Sequence, residues 1–101
     1  MLEAVFSIFY GRHSVITSAQ LRAARALLGI DQKTLAERAG VSVPTIQRME
    51  ASQGNVRGVV ESLTRVIEAL EASGIELIGD NAQSLSGGRG IRLREPAPPR
   101  T

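Results

Sequence analysis

Between residues 17 and 74, apolar side chains recur at intervals of three and four residues, the spacing of helices with one buried face. Glycines and polar capping residues interrupt this spacing three times and divide it into four segments. The pattern predicts helices over about residues 18–28, 32–39, 43 to 51 or 52, and 57–73. Together they would form one helical domain over residues 17–74.

The break between the second and third predicted helices is only three residues long, Gly40, Val41 and Ser42. Two short helices joined so tightly cross at a steep angle, which is the arrangement of a helix-turn-helix. Ala36 is small enough for a close crossing, and Gly40 can adopt the left-handed backbone conformation that the turn needs. Pro44 falls in the first turn of the third helix, where its missing N–H breaks no hydrogen bond. On spacing alone, an ordinary helical hairpin without DNA binding remains the alternative.

The pattern changes after residue 74. Residues 75–78 and 91–94 each alternate apolar and polar side chains, and a loop rich in glycine and serine separates them. This predicts a β-hairpin over residues 75–95. Because a lone two-stranded hairpin is marginal in water, we expect it to support a homodimer, the alternative being that it packs on its own helical domain. Residues 96–101 are interpreted as a disordered tail.

The chain has 101 residues, enough for one small domain, and only 3% of them are aromatic, so aliphatic side chains must form the core. The absence of cysteine excludes disulfides and thiolate metal sites and agrees with a cytoplasmic location. The net charge of +2 neither requires nor excludes nucleic acid. Residues 1–16 are interpreted as an N-terminal extension, apolar but too short to span a membrane, so no membrane partner is expected. A later start of translation, at Val15, is the alternative.

Catalysis has little support in the sequence. His13 is the single histidine, and no spacing of histidine and carboxylate side chains suggests a metal site. The run "SGGRG" does not lead from a strand into a helix, so it is not a phosphate-binding loop. We therefore expect no enzymatic activity, no cofactor and no metal.

The segment "LRAARALLGIDQKTLAERAGVSVPTIQRMEASQG" resembles the XRE family of helix-turn-helix proteins, which includes the lambda repressor and Cro. The strongest parts of the resemblance are "RAARALLG", "LAERAGVS" and "TIQRME", and it covers roughly residues 18–73. It implies a mainly α fold, a lambda-repressor-like DNA-binding domain of four to five helices, followed here by the predicted hairpin. It also implies a partner, double-stranded DNA, which the family usually binds as a dimer.

The resemblance makes the third helix the recognition helix, whose N-terminal part enters the major groove. Its outward positions are Ser42, Val43, Pro44, Thr45, Gln47 and Arg48. Arg48 is the best candidate for a two-pronged contact to guanine, whereas Val43 and Pro44 offer only apolar contact, for example to a thymine methyl group.

The resemblance also implies roles for residues outside the recognition helix. Those expected at the DNA backbone are Gln32, Lys33, Asn55 and Arg57. Gln32 begins the second helix, where a side chain and a helix N-terminus meet a phosphate in relatives. Arg25 and Glu50 match a pair that in relatives joins the first helix to the end of the recognition helix, which implies a structural role.

The sequence therefore predicts a sequence-specific transcriptional regulator, a repressor that binds an inverted repeat as a homodimer. The first alternative is an antitoxin that binds a toxin protein and also represses its own operon. A second alternative is a protein-interaction module that has lost DNA binding, which the apolar pair Val43 and Pro44 would favour.

Overall fold

Four α-helices follow one another along the chain, in the order that the pattern predicts. The computed structural model describes residues 16–94, and its helices are α1 (Ser18–Leu28), α2 (Gln32–Ala39), α3 (Val43–Ala51) and α4 (Val60–Ala72). The prediction of a mainly α domain with a helix-turn-helix at its centre is confirmed. Helix α4 begins at Val60 rather than near residue 57, and no side chain caps its first turn.

The first three helices begin and end where local chemistry dictates. The Thr17 hydroxyl accepts the N–H of Gln20 at 3.0 Å, and the Gln20 side chain accepts the N–H of Thr17 at 2.9 Å, which completes the predicted capping box. Asp31 and Ser42 cap α2 and α3 by accepting the N–H of Thr34 and of Thr45, without a reciprocal bond. Gly40 ends α2 with φ at 70°, a left-handed conformation that sets the direction of α3.

The core lies where α2 packs against α3 and α4, with α1 closing one side against α3. Its largest fully buried side chains come from all four helices: Leu21, Leu35, Ile46, Met49, Val66, Ile67 and Leu70. Leu27 and Val60, which the periodicity places on buried faces, are 55% and 61% exposed. Leu27 faces a groove beside α1, and Val60 is the first residue of its helix, before α4 reaches the core.

The predicted β-hairpin is wrong, since residues 75–94 contain no strand. The Glu76 carboxylate accepts the N–H of Leu85 at 3.0 Å and the hydroxyls of Ser84 and Ser86 at 2.7 Å each. Arg92 donates to the main-chain carbonyls of residues 79 and 82. Glu76 and Arg92, one from each predicted strand, are thus bonded to the loop between the strands, and the described residues 16–94 contain no strand on which a two-stranded hairpin could pack.

The beginning of this C-terminal segment lies along α1, where the Gln20 amide donates to the carbonyl of Ile78 at 2.9 Å. Ile75 and Leu77 pack against the core. The predicted N-terminal extension up to residue 15 and the predicted tail after residue 95 lie outside the described residues. No helix between residues 16 and 94 combines the length and the apolar character that crossing a membrane requires.

Candidate nucleic-acid interface

Helix α3 has one face in the core and the other in solvent. Ile46 and Met49 are fully buried, and they fix α3 against the helices on either side. Pro44, Gln47 and Arg48 are exposed on the opposite face. A short helix held in this way presents its outer side chains at fixed positions to a partner, as recognition by the major groove requires.

The first turn of α3 carries a chain of hydroxyl contacts. The Ser42 and Thr45 hydroxyls lie 2.9 Å apart, and Ser42 also accepts the N–H of Thr45 at 3.2 Å. Arg48 donates to the Thr45 hydroxyl over 3.4 Å, a long contact that holds the guanidinium only weakly. The guanidinium of Arg48 therefore stays available at the surface.

The two apolar positions of the predicted reading surface differ in the structure. Pro44 is exposed, and its side chain can contact a partner directly. Val43 is half-buried and packs against the edge of the core. Val43 therefore offers a smaller contact surface than its place in the helix indicates.

Gln32 is half-buried at the start of α2, and its side chain has a role that sequence reasoning missed. Its amide nitrogen donates to the Glu50 carboxylate at 3.0 Å and so ties the first residue of α2 to the end of α3. Lys33, the next residue, is exposed. At this end of α2, Lys33 thus supplies an exposed positive charge close to the exposed carboxylate of Asp31, and Gln32 stabilises the orientation of α3.

Arg25 and Glu50 form the predicted structural pair, which is confirmed. The guanidinium of Arg25 donates twice, to the two carboxylate oxygens at 2.5 and 2.8 Å. Burial by itself would raise the pKa of Glu50, but the hydrogen bonds from Arg25 and Gln32 outweigh it and hold that pKa below its ordinary value. Glu50 therefore carries a negative charge at neutral pH that Arg25 compensates.

Arg22 adds a second contact to the same helix end, since its guanidinium donates to the main-chain carbonyl of Glu50. Sequence reasoning missed this residue as well. Arg22 lies three residues before Arg25 on α1, so the two side chains share one side of that helix. That spacing, combined with the predicted pairing of Arg25, was the signal that could have identified Arg22.

The loop after α3 carries Asn55 and Arg57, both exposed. The Ser52 hydroxyl donates to the carbonyl of Arg48 at 3.2 Å and accepts the N–H of Arg57 at 3.2 Å, which links the end of α3 to this loop. The loop is also joined to the start of α1, where Val56 donates to Ile16 and Ser18 donates to Gly54, each at 2.9 Å. Asn55 and Arg57 therefore sit on a segment fixed at both ends.

The charges around α3 suit a polyanionic partner. Lys33, Arg48 and Arg57 are exposed cations on α2, on α3 and in the following loop. Glu50 is the acidic residue within α3, and it is buried and paired with Arg25. The exposed face of α3 thus contains no acidic side chain that would repel a phosphate backbone.

Residues 21–58 match a family model described as helix-turn-helix. The matched segment begins within α1 and ends in the loop after α3, so it contains the turn at Gly40 and the whole of α3. No curated protein and no solved structure matches the chain. The family match and the geometry of α2 and α3 agree: residues 21–58 form a helix-turn-helix similar to that of XRE-family proteins, which supports a DNA-binding transcriptional regulator.

Proposed function

We propose that the protein is a repressor that binds an inverted repeat in double-stranded DNA as a homodimer. One observation carries the proposal: the outer face of α3 is exposed and free of acidic side chains, and exposed cations flank it on α2 and on the following loop. An exposed helix with this charge arrangement can enter the major groove while its neighbours contact phosphates.

Base recognition comes from α3. Arg48 has the length and the two donor groups for guanine, and breaking its weak contact to Thr45 costs little. Gln47 is exposed beside it, and Ser42 and Thr45 can contact base edges or phosphates. Pro44 offers an apolar surface to a thymine methyl group, and the exposed part of the Val43 side chain enlarges that surface.

Phosphate contacts come from both sides of α3. Lys33 lies at the start of α2, and Asn55 and Arg57 lie in the loop after α3. Because the Gln32 side chain is bonded to Glu50, its main-chain N–H at the helix N-terminus is the group that approaches a phosphate. These contacts contribute affinity for any sequence, whereas the side chains of α3 discriminate between bases.

The homodimer follows from the size of the reading surface. One recognition helix covers only a few base pairs, so two copies about 34 Å apart on one face of the duplex are needed for a specific operator. Bound across a promoter, such a dimer blocks polymerase, and repression is the expected outcome.

The test is selection of bound DNA from a random pool by the full-length protein, followed by sequencing. We expect an enriched inverted repeat, and we expect Arg48→Ala to relax the preference at one symmetric base position. Arg38→Ala is the matched control, since Arg38 lies on α2 and donates to Ser73 at the end of α4. Failure to enrich any motif would contradict sequence-specific regulation and favour a module that no longer binds DNA.

An antitoxin is the second candidate function, and one observation favours it. The C-terminal segment exposes three large apolar side chains, Leu85, Ile91 and Leu93, on a backbone without regular structure. Segments of this kind can fold onto a partner protein. Co-expression with the product of the adjacent gene would test it, since an antitoxin restores growth that the toxin arrests.

A further inference from the structure

A groove runs between α1 and the C-terminal segment, with a volume of about 320 Å³. Ala23 and Leu27 form its wall on α1, and Ile75 and Leu77 form its floor. Ile91 and Leu93 border it on the far side, yet they are 89% and 94% exposed. The groove therefore combines apolar side chains with polar ones such as Gln20 and Asp80, and two almost fully exposed apolar side chains border it.

We propose that a second copy of this chain occupies the groove, so that the surface formed by Leu27, Ile91 and Leu93 is the dimer interface. This rests on the homodimer of the proposed function and names the surface that builds it. A two-fold interface brings one surface against itself, so each copy must offer both a recess and a projection. Here Leu27 lies in the recess, and Ile91 and Leu93 are the projection.

The charges at the edge of the groove also fit a second copy. Asp80 lines the groove and is exposed, and Arg94 directly follows Leu93 and is exposed as well. A surface that carries both signs can face itself across a two-fold axis without net repulsion, whereas a surface of one sign cannot. Standard interfaces bury about 800 Å² on each partner, more than three apolar side chains supply, so the polar edge must also be part of this interface.

The position of the groove leaves the recognition helix free. Leu27 lies five residues after Arg22, and at about 100° per residue the two side chains point about 140° apart around α1. Arg22 faces the end of α3, where it donates to the carbonyl of Glu50. A partner in the groove therefore approaches α1 from the side away from α3, and both copies can contact DNA while they are paired.

The test is sedimentation equilibrium of the full-length protein and of two matched variants, Leu93→Asp and Leu85→Asp. Both leucines are exposed in the same segment, at 94% and 84%, so neither substitution disturbs the core, but Leu85 does not line the groove. Because a two-fold interface contains the substitution twice, Leu93→Asp should raise the Kd of the dimer at least about 100-fold. Leu85→Asp should leave it unchanged, and circular dichroism should show the same helix content in all three proteins.

Binding to a DNA half-site separates this inference from the proposed function. The monomer formed by Leu93→Asp should still bind one half-site as strongly as the wild-type chain, while losing the additional affinity for the full inverted repeat. A wild-type chain that sediments as a monomer, or a dimer that Leu93→Asp does not weaken, would overturn the groove as the interface and leave DNA recognition intact. Loss of half-site binding in the wild type would instead contradict the DNA-binding proposal and leave the dimer surface standing.

Discussion

Replacing Arg25 with methionine tests how far the orientation of α3 depends on one ion pair. Methionine preserves the unbranched aliphatic part of the arginine side chain on α1 but removes both hydrogen-bond donors to Glu50. The Glu50 side chain is only 5% exposed and that of Arg25 is 21% exposed, so the pair is shielded from water. The substitution therefore leaves a carboxylate in a site where water cannot replace the lost partner.

The expected cost follows from that burial. Removing one partner of a buried ion pair typically lowers the free energy of unfolding by about 3–5 kcal/mol. Gln32 still donates to Glu50 in the variant, so we expect the lower end, about 3 kcal/mol. For a small domain this is a large share of a total stability of about 5–15 kcal/mol.

The stability deficit of Arg25→Met should also change with pH in a defined direction. In the wild type the hydrogen bonds hold the pKa of Glu50 below its ordinary value. In Arg25→Met the burial remains without the guanidinium, so we expect the pKa of Glu50 to rise above its ordinary value. A carboxyl whose pKa is higher in the folded state binds protons preferentially there, so the stability of the variant falls as pH rises. Its deficit should thus be smaller at about pH 5 than at about pH 7.

Urea unfolding followed by circular dichroism at both pH values measures the effect. Arg57→Met is the control, since Arg57 is exposed, and its change should stay within about 0.5 kcal/mol. A loss below about 1 kcal/mol for Arg25→Met would mean that the pair behaves like a surface ion pair. A deficit that does not change with pH would refute the assigned burial of Glu50.

Three further predictions concern DNA contact, the turn and the C-terminal segment. Lys33→Ala should weaken binding to all DNA sequences alike and reduce the slope of log K against log salt concentration by about one. DNA titrations at several salt concentrations measure this slope, and an unchanged slope would show that Lys33 does not contact a phosphate. Gly40→Ala should lower the free energy of unfolding by about 1–2 kcal/mol, because alanine is strained at a φ of 70° even though its Cβ meets no atom within 4 Å. A melting temperature equal to that of the wild type would contradict this prediction. Hydrogen bonds from the N–H of Leu85 and from two serine hydroxyls lower the pKa of Glu76 to about 2. These hydrogen bonds should therefore be fully formed above the ordinary glutamate pKa and be lost as pH falls through about 2. Hydrogen exchange at Leu85, corrected for its intrinsic pH dependence, should report that loss, and Glu76→Gln should show it at neutral pH.

Local chemistry explains why the bounds of the first three helices could be predicted closely. Thr17, Asp31 and Ser42 cap helices with their own side chains, and glycines end two of them, so each boundary depends on residues beside it in the chain. Helix α4 lacks such a cap, and its start was predicted three residues too early. Without a capping side chain, the sequence carries no local signal for its first residue.

The contacts that depend on distant parts of the chain could not be predicted in the same way. The alternation in residues 75–78 and 91–94 is a property of possible strands, but it does not show that Glu76 and Arg92 bond to the loop between them and that no ladder forms. Likewise, nothing near Gln32 in sequence shows that the end of α3 comes within 3.0 Å of its side chain. Which exposed residues touch DNA stays a prediction, since base contacts depend on the partner as much as on the protein.

The hydrogen bonds from Val56 to Ile16 and from Ser18 to Gly54 have a consequence for the energetics of DNA recognition. They make the loop after α3 part of the same cooperative unit as α1, so the loop opens only when the start of that helix opens too. A segment already ordered before the encounter loses little conformational entropy when it meets a phosphate. Affinity can therefore reflect the contacts themselves, with little of their free energy spent on ordering the loop.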